Sequence, residues 1–186
     1  FSCLVFNDVG NKLSSWDTSN ISNMSQIFLY CPLFNTDVSM WDTSNVQYMT
    51  GVFGYDSNNG TSGIFNQPIG AWDTSSVLII DYILMNQTSF DQDLSNWDLS
   101  ALTTMTLSPG LIPIASSQSS SYQFPIVLSQ VNYDALLIGW DAHSYPSLPG
   151  ARTLGFGLSQ YSASPSAAAT ARASLVTKFG AISDGG

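Results

Sequence analysis

FNTDVSMWDTSNV at 34–46 is followed by FNQPIGAWDTSSV at 65–77 and FDQDLSNWDLSAL at 90–102. A stretched copy, FNDVGNKLSSWDTSNI, occupies 6–21. Trp-Asp therefore recurs at 16, 41, 72 and 97, with spacings of 25, 31 and 25 residues. The longer interval contains an insertion, GYDSNNGTSG (54–63), rich in the turn formers Gly, Asn and Ser. Phe34, Phe65 and Phe90 each precede their Trp by seven residues, and Phe6 precedes Trp16 by ten. Apolar residues follow each Trp at +5 (Ile21, Val46, Val77, Leu102) and +8 (Met24, Met49, Ile80, Met105). A third mark lies at +12 (Phe28, Phe53, Leu84), and Phe1 fits that slot of a preceding turn. The expectation is a piece of a longer chain.

A period near 25 residues is too short for helical-pair repeats and falls in the leucine-rich-repeat range. Alternation of apolar and polar residues in LSSWDTS (13–19) predicts one short extended segment per unit. The predicted fold is a leucine-rich-repeat-like solenoid of short parallel β-strands, loops and brief helical turns. One unit cannot close a core alone, whereas stacked units bury a continuous column. That column should hold Trp16, Trp41, Trp72 and Trp97 together with Phe34, Phe65 and Phe90, with equivalent backbone about 4.8 Å apart. Thr18, Thr43 and Thr74 form a further row, with Leu99 in the fourth unit. An outward Thr row would suggest ice binding. These Thr lie two residues from a Trp, on the same side of an extended segment, so they are expected inside, bonded to one another.

Residues 1–108 are read as the solenoid, about four turns with the first incomplete, and 109–130 as an irregular connection. Residues 131–186 read as a small α/β C-terminal cap. Asn132 is placed to N-cap a helix whose Tyr133, Leu136, Leu137 and Trp140 share one face. Gly150–Tyr161 reads as extended, and a second helix is expected from Ser164-Pro165 to Gly180, burying Ala168, Ala171, Leu175 and Phe179.

All 13 acidic residues are Asp, opposed only by Lys12, Lys178, Arg152 and Arg172, for a formal charge of −9. Between Lys12 and Arg152 no cation occurs, which argues against nucleic acid and against anionic membrane surfaces as partners. No apolar run is long enough for a membrane span. Hydrophobic residues are 44% of the chain, which argues against disorder.

SSWDTSNISNMSQIF (14–28), WDTSNVQYMTGVF (41–53) and SFDQDLSNWDLS (89–100) resemble the units of BspA-type leucine-rich-repeat surface proteins. NYDALLIGW (132–140), YSASPSAAATARASL (161–175) and ISDGG (182–186) are similar to that family's usual ending. The resemblance implies an extracellular or cell-surface location and an adhesive or scaffolding role, and it supplies no catalytic motif. The fourth unit departs from the pattern after Met105, where TLSPGLIPIASSQSSSYQFP (106–125) replaces another aromatic–Asn loop.

Asp17, Asp42, Asp73 and Asp98 hold equivalent places and should form an exposed ladder. One reading is a glycan- or cation-binding strip, with calcium as the candidate ion. The favoured one is that each Asp accepts hydrogen bonds from turn amides beside its Trp. Asp91 and Asp93 form a denser pair without the other ligands of a calcium loop. A glycoside hydrolase using two Asp is a remote alternative, because a ladder gives every carboxylate the same surroundings. The only histidine, His143, sits in the turn-rich DAHSYPSLPG (141–150) and reads as a solvated loop residue. GFG (155–157) lacks the spacing of a phosphate loop. No cofactor is expected. Asn20, Asn23, Asn59 and Asn86 head N-x-[ST] sequons, as glycosylation candidates of a secreted glycoprotein. Cys3 and Cys31 each lie three residues before a Phe, so stacked units would bring them within reach of a disulfide. The alternative is two stacked buried thiols. The functional expectation is a non-enzymatic module for adhesion or scaffolding through proteins, glycans or self-association. The alternative is an architectural subunit of an extracellular filament or coat.

Overall fold

The backbone of a 25-residue loop carries more donors and acceptors than it can satisfy within itself, and buried ones must find partners. In the computed structural model, which describes residues 12–54, 62–80, 83–103, 126–145, 152–156 and 158–185, neighbouring units supply them. Met24, Gln26, Phe28 and Tyr30 donate their N–H groups to the carbonyls of Tyr48, Thr50, Val52 and Gly54. Met49 and Phe53 repeat the pattern on Ile79 and Ile83, and Thr103 N–H reaches Leu78 O. Successive units thus lie side by side and parallel. Among the described residues of the repeats, pairing is confined to two bridges, Asn23 with Tyr48 and Tyr48 with Ile79, where the repeat predicts a short strand in each unit. The start of LSSWDTS lies in a single 3₁₀ turn, Lys12–Ser15, with Ser15 Oγ donating to Lys12 O.

Equivalent aromatic rings stack along the units. Trp16 lies on Trp41 with centroids 6.2 Å apart, and Trp41 lies on Trp72 at 6.4 Å, each pair within 3° of parallel. Phe34, Phe65 and Phe90 form a second column at 5.9 and 6.1 Å. Phe28 and Phe53 insert beside it, each 3.8 Å from the Phe that opens the following unit. Trp41, Trp72 and Trp97 are buried, with Phe34, Phe65 and Phe90 and the apolar +8 and +12 residues that are described. Trp16 departs from the expected core: it is 55% exposed, because only its Trp41 side is covered by a described indole.

The Thr row is inside, yet its partners differ from those expected. Thr18, Thr43 and Thr74 donate through Oγ1 to the backbone carbonyls of Asp42, Asp73 and Asp98, at 2.9–3.0 Å. The hydroxyl bonds to the next unit's Asp backbone instead of the next Thr, since that carbonyl is an obligatory acceptor.

After the repeats, helix α1 (Gln130–Asp141) buries Tyr133, Leu136, Leu137 and Trp140, the last bonded through its indole N–H to Leu94 O of the last unit. Its N-cap is Ser129, whose Oγ accepts from Asn132 N, and not Asn132 itself. Asn132 uses its side chain elsewhere, as described below. Strand β1 (Arg152–Gly155) pairs in parallel with β2 (Gly180–Ser183), and helix α2 (Ala167–Phe179) joins them. Helix α2 begins later than Ser164-Pro165 because Ser166 Oγ caps Ala169 N at 3.0 Å. It ends at Gly180, whose φ of 110° is open to glycine at little cost. Ala168, Ala171, Leu175 and Phe179 are its buried face.

Candidate functional site

Each repeated Asp is tied into its own turn. Asp17, Asp42 and Asp73 accept through Oδ1 from the backbone N–H (2.9–3.1 Å) and the hydroxyl (2.6 Å) of the Ser two residues on. Asp98 accepts from Ser100 N at 2.8 Å and faces His143 Nδ1 at 3.7 Å. The Ser19 and Ser44 side chains, then their amides, hold the Asp17 and Asp42 carboxyls below the ordinary carboxylate value. The Ser39 amide, then its side chain, lowers the Asp37 carboxyl. One oxygen of every repeated Asp is therefore committed to a turn. Among the described residues no group of three or more His, Cys, Asp or Glu gathers to hold a metal ion.

Beside the ladder runs a row whose chemistry changes from unit to unit. Positions +6 and +7 after the first three Trp carry Ser22-Asn23, Gln47-Tyr48 and Leu78-Ile79, with Asn23, Tyr48 and Ile79 aligned by the two bridges. Asn23, Gln47 and Tyr48 are exposed, and Leu78 and Ile79 half-buried. Constant residues thus build the frame, and variable ones face outward along it.

The residue after each repeated Phe joins one unit to the next, a role its recurrence alone did not assign. Asn66 N and Asp91 N are accepted by the side chains of Asn35 and Asn66, while Gln67 and Gln92 amides bond the same two Asn residues. The series continues into the cap: Ser129 N donates to Asp91 Oδ1, and Asn132 Nδ2 donates to Asp91 O and Oδ1. Burial opposes the charge on Asp91, but these bonds outweigh it and its pKa falls. Gln87, fully buried, accepts from Phe65 N at 3.0 Å and donates to Phe53 O, bridging units across the insertion. Within the cap, Arg172 makes a two-pronged pair with Asp184 at 2.7 and 2.9 Å, and Tyr133 Oη donates to Asp184 at 2.6 Å. Asp184 holds the Arg172 guanidinium above its ordinary value; burial, then Asp184, raises the Tyr133 hydroxyl. Asp134 accepts from both the amide and the hydroxyl of Ser162.

Of the sequons, Asn20 and Asn23 are exposed, whereas Asn86 is buried at 6% exposure. Its neighbour Gly63 donates to its backbone carbonyl, which fixes that residue at the unit junction. Asn59 lies outside the described residues, as does Cys3. Cys31 is buried, its Sγ 3.8 Å from Leu29 O, and the Cys3–Cys31 pairing falls outside what is described. No helix among the described residues is long and apolar enough to cross a membrane.

A family model described as "Mycoplasma protein of unknown function, DUF285" matches residues 3–108, more than half of the chain. No curated protein and no solved structure matches it significantly.

Proposed function

We propose, from the premise that the chain belongs to the DUF285 family, that it is a leucine-rich-repeat-like solenoid of the BspA type, serving adhesion or scaffolding at a cell surface or outside the cell. It acts without catalysis, by holding a row of outward side chains against a protein or glycan. One observation carries this reading. The Thr and Asp of all three WDTS motifs, and the indoles of Trp41 and Trp72, are engaged in joining or closing units, through Thr Oγ1, Asp Oδ1 and Trp Nε1. The motif therefore builds a frame, while Asn23, Tyr48 and Ile79 vary along it. Ser, Thr and Asn surfaces with an exposed Tyr suit glycan and peptide recognition, where aromatic faces and amides supply most contacts. A hydrolase is disfavoured because Asp17, Asp42 and Asp73 share one environment, and acid–base pairs need different ones.

The test is immobilised protein probed with panels of extracellular matrix proteins and glycans. Binding should be lost in Tyr48→Ala and kept in Asp73→Asn. Calcium chelation lowering both affinity and melting temperature, with Asp73→Asn insensitive, would move the site to the Asp ladder. Glycan cleavage lost in an Asp→Asn variant would refute the non-catalytic reading.

A further inference from the structure

The outward row presents side chains, because its backbone is already used. Gln47 and Tyr48 both donate their N–H groups to Ser22 O, and Leu78 and Ile79 both donate to Gln47 O, at 2.8–3.3 Å. Two donors fill each of these carbonyls, so a ligand meets no free strand edge there. The side chains grade from Ser22 and Asn23, through Gln47 and Tyr48, to Leu78 and Ile79, with Tyr48 37% exposed at the middle. In each unit a turn separates this pair from the repeated Asp: Ile21 N–H closes on Thr18 O, Val46 on Thr43 and Val77 on Thr74, each at 2.9 Å. The row therefore borders the Asp ladder along three units. Asp17, Asp42 and Asp73 are exposed, and each leaves Oδ2 without a partner among the described residues. The ion pairs among the described residues lie elsewhere, at Asp98, Asp141 and Asp184, and each involves the cap. The Ser44 hydroxyl and amide keep Asp42 ionised although the like charge of Asp17 opposes it. From 13 to 142 the sequence contains no Lys, Arg or His.

We infer that the occupant of this row is a cationic, extended peptide segment of another protein, with an apolar side chain at one end. This rests on the adhesion reading above and names the chemistry of the partner. Charge complementarity selects it: basic side chains meet carboxylates that the chain leaves without a counter-charge, whereas an acidic glycan or acidic peptide meets repulsion. The middle position suits arginine, whose planar guanidinium covers an exposed aromatic face while its N–H groups reach a carboxylate. The cap makes this contact internally, with Arg172 5.2 Å from the Tyr161 ring centroid and paired to Asp184. The apolar end sets the direction. Leu78 and Ile79 offer half-buried aliphatic surface and no side-chain hydrogen bond, so the apolar residue of the segment lies on the third unit. A neutral glycan would leave its hydroxyls unpaired there. In the fourth unit His143 of the cap faces Asp98 at 3.7 Å, which bounds the site at three units.

The experiment uses the full chain and a fluorescein-labelled peptide that alternates Arg and Ser and ends in a Leu pair, followed by fluorescence anisotropy. The peptide should bind at low ionic strength and weaken as salt rises. A matched peptide with Glu for Arg should not bind, and one with Ser for Leu should bind more weakly. Asp42→Asn keeps an acceptor for the Ser44 amide and should weaken binding about 2- to 5-fold, as should Tyr48→Leu, whereas Tyr48→Phe should retain it. Leu78→Gln should weaken the Leu-bearing peptide and leave the Ser-bearing one unchanged. Asp37→Asn removes an exposed carboxylate outside the row and should have no comparable effect. Circular dichroism confirms that the compared variants are folded. Equal losses for Asp37→Asn and Asp42→Asn would mean attraction to net charge alone and overturn the inference, as would a folded Tyr48→Leu variant that binds like the parent. Failure of the Arg peptide to bind also overturns it; if the matrix-protein and glycan panel still shows Tyr48-dependent binding, the adhesion reading stands without it. Tyr48-dependent capture of an acidic or neutral glycan overturns the choice of a cationic peptide.

Discussion

Trp72→Ala and Trp16→Ala change the same motif at equivalent positions, yet the structure assigns them very different costs. Trp72 is 2% exposed, lies 6.4 Å from Trp41 and 5.8 Å from Phe53, and donates to Val38 O at 3.0 Å. Removing the indole costs about 3–5 kcal/mol in packing. Leaving the Val38 carbonyl without its donor adds about 1–3 kcal/mol. That sum approaches the whole stability of many domains, about 5–15 kcal/mol. Trp16 contacts Trp41 on one face and donates to no described acceptor, so its loss should cost on the order of 1 kcal/mol. Equilibrium urea unfolding measures both, with the slope checked for constancy. Trp72→Phe separates the contributions, since it keeps most of the ring volume and loses the hydrogen bond. Equal losses for the Trp16 and Trp72 variants would refute the direction of stacking on which the assignment rests.

Thr43→Val keeps the shape of a buried side chain and deprives Asp73 O of its donor, so thermal unfolding should register a loss of about 1–3 kcal/mol, largely restored by Ser. Acidification should weaken the turns. The Ser44 hydroxyl and amide depress the Asp42 pKa, so the stability they confer is present above the unfolded value of 3.8 and disappears as pH falls through the folded one. In Ser44→Ala the Asp42 carboxyl, followed by NMR, should titrate closer to 3.8; an unchanged curve would contradict the assignment. Tyr133→Phe should cost about 1–3 kcal/mol by removing a donor from the charged, buried Asp184. Hydrogen exchange at Gly185, whose amide is bonded to Ser159 O, should accelerate in that variant.

Periodicity made legible whatever neighbouring units share by being alike. The recurrence of Trp, Phe, Met and Val identified a stacked apolar column, and the position of Thr two residues from Trp placed its side chain inside. The helical spacing of Tyr133, Leu136, Leu137 and Trp140 likewise marked a buried face, because an apolar stripe must be covered wherever the helix sits. What spacing could not supply was the matching of unlike elements. Trp140 completes the indole series from a helix, and Asn132 completes the amide series, across separations of 46 and 41 residues and with no repeated motif to announce them. Tyr133, Arg172 and Asp184 converge from three elements, so their pairing exists only once the cap has closed. Even the Thr partner was a backbone carbonyl, invisible in any pattern of side chains. A repeat specifies which atoms face each other only between equal units. At the cap, where the neighbour is unlike, geometry in three dimensions seats Trp140 on Leu94.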